Sequence, residues 1–90
     1  MNTGKDVLFM ADVAGELIRA REKFPSSACC VAALMEEVGE LAQAMLKHAA
    51  GKGSHDRVRA EALQVCVMAI RCANEGDPSL TSVGYTEPGQ

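Results

Sequence analysis

The chain has 90 residues, enough for one small domain, and a domain of that size buries only about 60 to 65% of the surface its unfolded chain exposes. Twelve acids against nine bases give a net charge of -3, so no positive field favours a nucleic-acid polymer as partner. Hydrophobic residues reach 48% but aromatics only 3%, which leaves Ala, Val, Leu, Met and Cys to build the interior. The β-branched residues never alternate with polar ones over a strand's length, so an all-α fold is expected.

The first helix is expected from about Asp6 to Lys23, because Val7, Met10, Val13, Ala14, Leu17, Ile18 and Arg21 recur at spacings of three and four. Phe24 and Pro25 end it, since proline disfavours helical geometry in the residue before it, and Ser26 or Ser27 offers a cap for the next helix. That second helix carries Val31, Leu34, Val38, Leu41, Ala42, Met45 and Ala49 on one stripe until Gly51, Lys52 and Gly53 break it. The third is expected from Ser54 or Asp56 through Asn74, with Gly76 as the left-handed stop and Pro78 beyond. Between Ala62 and Ala73 its only strongly polar residues are Gln64 and Arg71, and a helix apolar nearly all round needs burial on several sides. The second and third helices should therefore form an antiparallel hairpin, with the first helix packed outside. A second copy is expected to complete a four-helix bundle, as a homodimer or homotetramer. Residues 1–76 form the single domain in this reading, and 77–90 an irregular tail pinned by Leu80, Val83 and Tyr85.

No apolar run approaches the roughly 18 to 20 residues of a membrane span, and Met1–Asp6 is not followed by a signal-peptide core. A cytoplasmic location without membrane partners is expected. Cys29, Cys30, Cys66 and Cys72 lie in apolar helical patterns without zinc-site spacing and read as reduced core thiols. Met10, Met35, Met45 and Met68 read as core filler, and His48 and His55 as exposed residues flanking the glycine turn.

Between Lys23 and Lys47 the only charged residues are Glu36, Glu37 and Glu40. At about 100° per residue they occupy one arc of a helix, beside the apolar stripe, with Ala33 and Ala44 sharing that arc. Like charges three or four residues apart cost a few tenths of a kcal/mol, and ordinary surface patterning would intersperse lysines. A plain solvated face is the alternative, but the missing counter-charges call for neutralisation from outside the helix. Gly39, which gives up roughly 1 kcal/mol of helix propensity, would be explained by a close approach there. Clustered carboxylate oxygens suit a hard cation such as Mg²⁺ or Mn²⁺. A facing helix must supply the remaining oxygens, and the third helix offers Glu61 and Gln64, although Glu61 would also make an ordinary surface pair with Arg57.

The pair Glu36-Glu37-Val38-Gly39-Glu40 and, after twenty intervening residues, Glu61-Ala62-Leu63-Gln64 resembles the EExxE and ExxD motifs of the MazG-like and dimeric dUTPase superfamily of all-α nucleoside triphosphate pyrophosphohydrolases. The similarity spans about Ala28 to Ala73 and includes Ala33-Leu34-Met35 before the acids and Leu41-Ala42-Gln43 after them. The resemblance implies Mg²⁺-dependent hydrolysis of a nucleoside triphosphate to the monophosphate and pyrophosphate. Glu37 and Glu40 would be metal ligands from one helix and Glu61 from the other, with Glu36 orienting a water. Gln64 stands where the family has an aspartate and offers one weaker, neutral oxygen, so a catalytically impaired nucleotide- or metal-binding module is the alternative expectation. For substrate phosphates the candidates are Lys47, two turns beyond Glu40, and Arg71, two turns beyond Gln64. Each has a plainer role as well, Lys47 at a helix C-terminus and Arg71 as a snorkelling side chain.

Overall fold

A computed structural model describes residues 3–25 and 31–77. Among these the chain forms three α-helices and no strand: α1 (Thr3–Lys23), α2 (Val31–Ala49) and α3 (His55–Glu75). No helix among the described residues is long and apolar enough to cross a membrane. α1 begins three residues before the expected Asp6 and ends where Pro25 requires, its last bond running from the Phe24 N–H to the Ala20 carbonyl at 2.8 Å. The serines expected to cap α2, and the tail anchors Leu80, Val83 and Tyr85, lie outside the described residues.

The connection between α2 and α3 follows from its glycines. Gly51 takes φ 74°, and two bonds close the end of α2. The Lys52 N–H reaches the Lys47 carbonyl at 2.9 Å and the Gly51 N–H the His48 carbonyl at 3.0 Å, the paired arrangement of a left-handed glycine cap. At Gly53 a side chain would be crowded, since a Cβ there would stand 3.1 Å from the Lys47 Cβ. Ser54 then caps α3, its Oγ accepting from the Arg57 N–H at 3.1 Å. His48 and His55 flank this turn exposed, as expected, with ring centroids 5.7 Å apart edge-on.

Gly76, at φ 73°, closes α3 by donating to the Cys72 carbonyl at 3.1 Å. Asp77, assigned to the tail by sequence, is instead buried, and its Oδ2 accepts from the Val31 N–H at 2.9 Å. The far end of α3 is thereby tied to the start of α2. Val31, at the start of α2, meets Asp77 just past the end of α3, and Glu40, farther along α2, meets Glu61, earlier in α3, so the two helices are antiparallel. α1 runs parallel to α3: Asp12 pairs with Arg59 at 2.8 Å near one end and Arg21 with Glu75 at 3.4 Å near the other. α1 packs along α3 and not along α2, so α3 is the central element.

The face of α2 that meets α3 carries the carboxylates, as sharing oxygens with the third helix requires. Ala44 is buried and Ala33, Glu37 and Glu40 are half-buried, so the acidic arc turns inward. The apolar stripe is only partly covered: Leu34 and Leu41 are half-buried, while Val31 is 53%, Val38 41% and Met45 55% exposed, with Met35 beside them at 61%. Met35 and Met45 are therefore not core residues, and neither is Met10 on α1, because among the described residues nothing covers the faces that carry them. Fully buried apolar side chains among the described residues are only Val13, Ala44 and Val67. Cys66 is free, as expected, but Cys72 is disulfide-bonded to a partner outside the described residues, which corrects the reading of it as a reduced thiol.

Arg71, 3% exposed, is the most buried charge. Its guanidinium donates to both Glu75 oxygens at 2.7 and 2.9 Å and to the Phe24 carbonyl at 2.8 Å, joining the C-terminal ends of α1 and α3. The hydrogen bond from Arg71 holds the Glu75 carboxyl below its usual 4.5, helped by charge from Arg71 and Arg21. Its stabilising effect is thus present in full above pH 4.5 and is lost as pH falls through the lowered folded-state value. Glu75→Ala should cost about 2 to 4 kcal/mol in urea unfolding at pH 7, because it strands a buried guanidinium, whereas Arg71→Met, which removes the buried charge itself, should cost less.

Candidate metal centre

The inward face of α2 aims its carboxylates at α3. Glu37 and Glu40, one turn apart, each place an oxygen within 4.8 Å of one another and of an oxygen of Glu61. Glu61, 8% exposed, is the most buried of the three. Its expected pairing with Arg57 is present at 3.0 Å, but only the arginine, 68% exposed, is at the surface. The salt bridge and the carboxylate cluster are thus parts of one arrangement.

Crowding of negative charge acts on the two carboxylates of α2. The Glu37 carboxyl is pushed up first by burial and then by the charges of Glu40, Glu61 and Glu36. Glu40 is raised by desolvation, by the Glu61 charge, by a hydrogen bond shared with Glu61 and by Glu36, with Arg57 opposing. Glu37 Oε2 is buried with no hydrogen-bond partner, a state costing roughly 1 to 3 kcal/mol or more for a charged oxygen. A buried acceptor without a donor, a surplus of negative charge and three converging oxygens together fit a hard divalent cation. Such a cation would replace the missing donor and remove the repulsion. Glu37, Glu40 and Glu61 are the residues that would hold it.

Two cavities flank this cluster. On the turn side a polar cleft of about 490 Å³ is lined by Glu40, Gln43, Lys47, Lys52, Ser54 and Arg57. On the other side a cavity of about 220 Å³ lies among Ala20, Phe24, Glu37, Gln64, Met68 and Arg71, with mainly apolar walls. The chain matches no protein-family model, no curated protein and no solved structure.

The expected site residues divide accordingly. Glu37, Glu40 and Glu61 converge, and Gln64 lines the smaller cavity with Glu37. Glu36 is exposed at the edge of the arc and acts on Glu37 and Glu40 through its charge. Lys47 lies in the polar cleft beside Glu40. Arg71 reaches the smaller cavity, but its guanidinium is committed to Glu75 and Phe24. Gly39 is on open surface, where a Cβ would meet nothing within 4 Å, so no close approach among the described residues explains it. Sequence reasoning missed Lys52 as a neighbour of the carboxylates and, although it paired Arg57 with Glu61, did not place that arginine in a cleft with Glu40.

Because the Glu37 carboxyl is raised, protons bind the folded state more tightly than the unfolded one. Without divalent cations, stability should therefore fall as pH rises from 4.5 through the raised folded-state value. Glu37→Gln should flatten that fall and raise the melting temperature at pH 8 in EDTA. Adding Mg²⁺ should stabilise the wild type and leave the variant nearly unchanged. Thermal unfolding followed by circular dichroism in both buffers checks the pair of outcomes, and identical curves for the two proteins would refute the assignment.

Proposed function

We propose that the chain is one subunit of a Mg²⁺-dependent nucleoside triphosphate pyrophosphohydrolase, similar to the MazG-like all-α enzymes that its motifs resemble. The observation that carries this reading is the convergence of Glu37, Glu40 and Glu61 around a buried, unpartnered Glu37 oxygen. The flanking cavities support it, since a nucleotide has one strongly anionic end and one weakly polar end. Glu37, Glu40 and Glu61 would hold Mg²⁺, or Mn²⁺ in its place, and Gln64 lies beside Glu37 with a neutral amide oxygen. When bound, the cation supplies Lewis-acid polarisation of a phosphoryl oxygen. Glu36, at the solvent edge of the arc, orients the attacking water and accepts its proton. The water oxygen bonds to the α-phosphorus as the α–β bridging bond breaks, giving the nucleoside monophosphate and pyrophosphate. Lys47, in the cleft beside Glu40, is placed for the phosphates. Arg71 shapes a cavity wall rather than reaching for substrate.

Gln64 motivates a second reading, a nucleotide- or metal-binding module without turnover. Only three carboxylates converge among the described residues, and the neighbouring amide adds no fourth charge. Incubation with Mg²⁺ and a panel of NTPs and dNTPs should release pyrophosphate and monophosphate in equal amounts. Glu40→Gln should slow this by more than about 100-fold, since even outer partners of metal ligands are worth 10- to 100-fold. Turnover appearing only in Gln64→Asp would establish the second reading, and no turnover in either protein would end the first.

Assembly belongs to the same proposal. The outward stripe of α2, Val31, Met35, Val38 and Met45, is a continuous apolar face. Burying such side chains is worth about 1.5 to 3 kcal/mol each. Packing it against the same face of a second copy gives a four-helix bundle, as a dimer or a dimer of dimers, and leaves the inward carboxylates facing their own α3. Sedimentation at micromolar concentration should give at least twice the chain mass, and Val38→Glu with Met45→Glu should reduce it to the chain mass. A monomeric wild type would overturn the assembly.

A further inference from the structure

We infer that the polar cleft at the α2–α3 turn is an oligophosphate subsite, which takes the distal phosphates of the substrate and holds pyrophosphate after the reaction. The inference rests on the pyrophosphohydrolase reading and adds to it the direction in which the substrate lies. Three cations, Lys47, Lys52 and Arg57, line this cleft in a chain whose net charge is -3. The ion pair at this cleft is made by Arg57, and among the described residues neither Lys47 nor Lys52 has an acidic partner.

Backbone geometry fixes the lysines relative to each other. The Lys52 N–H bonds to the Lys47 carbonyl at 2.9 Å, and Gly53 passes against the Lys47 side chain where any larger residue would crowd it. Arg57 joins the cleft to the carboxylates through its 3.0 Å contact with Glu61. The N-terminal end of α3 opens on the same cleft at Ser54, adding the positive end of a helix dipole to the three formal charges. Glu40 lines the cleft and also belongs to the carboxylate cluster, so an anion held by the lysines lies next to the reacting centre. The cavity beyond Glu37 has mainly apolar walls and no free cation, since Arg71 is held by Glu75, so the nucleoside lies on that side. The phosphate chain therefore runs from the carboxylates toward the turn, with pyrophosphate as the group left in the cleft.

Titration calorimetry with inorganic pyrophosphate, in EDTA and again in Mg²⁺, tests this without turnover. Binding should weaken by about tenfold for each of Lys47→Ala and Lys52→Ala, the worth of one charge-assisted hydrogen bond. It should be retained in the corresponding arginine variants and be unaffected by Lys5→Ala with Lys23→Ala. Glu40→Gln should tighten binding in EDTA by removing the one repelling carboxylate. No loss in the Lys47 and Lys52 variants, or an equal loss in the Lys5 and Lys23 variant, would overturn the subsite. Lysine-dependent pyrophosphate binding in a protein without turnover would keep the subsite and remove the hydrolase reading. Turnover with lysine-independent binding would remove the subsite alone.

Discussion

The arrangement of this chain depends on like-charged carboxylates being turned inward. A helix with an apolar stripe beside an acidic arc would ordinarily bury the stripe and leave the acids in water. Here α2 places Glu37 and Glu40 against Glu61 and leaves Val31, Met35, Val38 and Met45 outside. Within a single chain this is unfavourable twice over, because charges repel in a partly desolvated site and apolar surface stays wet. Both costs would be relieved by the two proposed partners: a divalent cation on the inner face and a second apolar surface on the outer one. Orientation of one helix thus links the proposed chemistry to the proposed assembly.

An unfavourable inner face needs its register imposed from elsewhere, and the ends of the hairpin impose it. At the turn, the left-handed Gly51 closes α2 and Ser54 opens α3 within a few residues. At the other end, Asp77 accepts from Val31 while Arg71 joins Glu75 to the Phe24 carbonyl. These contacts are polar, directional and satisfied, in contrast to the carboxylates between them. With only Val13, Ala44 and Val67 fully buried among the described apolar residues, that core is too small to choose one register on its own. The two ends therefore act as fixed points that hold Glu40 opposite Glu61.

What was legible in the sequence was mostly local. Ser54, Gly51 and Gly76 act through bonds to residues within a few positions, and the helix ends read from them lie where expected. The grouping of Glu37, Glu40 and Glu61 was legible because an antiparallel hairpin with a short turn fixes which residues face each other. The exposure of Val31, Val38 and Met45 was not. Periodicity shows that two arcs are adjacent, but not which arc faces the neighbour when both neighbours, α3 and any second copy, lie outside the helix. Asp77 was missed for the same reason: its partner Val31 is 46 positions away, and a Gly-Asp-Pro run reads locally as a chain end. Arg71 stood in the apolar pattern as an exception, and its i+4 partner Glu75 was visible, yet the Phe24 carbonyl that makes the pair a clasp was not.

The scarcity of aromatic side chains becomes a geometric requirement at the carboxylates. Ala44 lies one turn beyond Glu40 and two beyond Glu37 on the same face, and at 6% exposure it is the buried contact between α2 and α3 nearest the cluster. Interaxial distance follows the size of the side chains at the contact, over a range of about 8 to 10 Å. A large residue at position 44 would set the helices apart at the place where three oxygens must share one centre. Bulk placed there would add core volume and dissolve the cluster. A chain that brings carboxylates from two helices within reach of one ion must keep the intervening residues small, and must then find its missing apolar burial on the outer faces of the same helices.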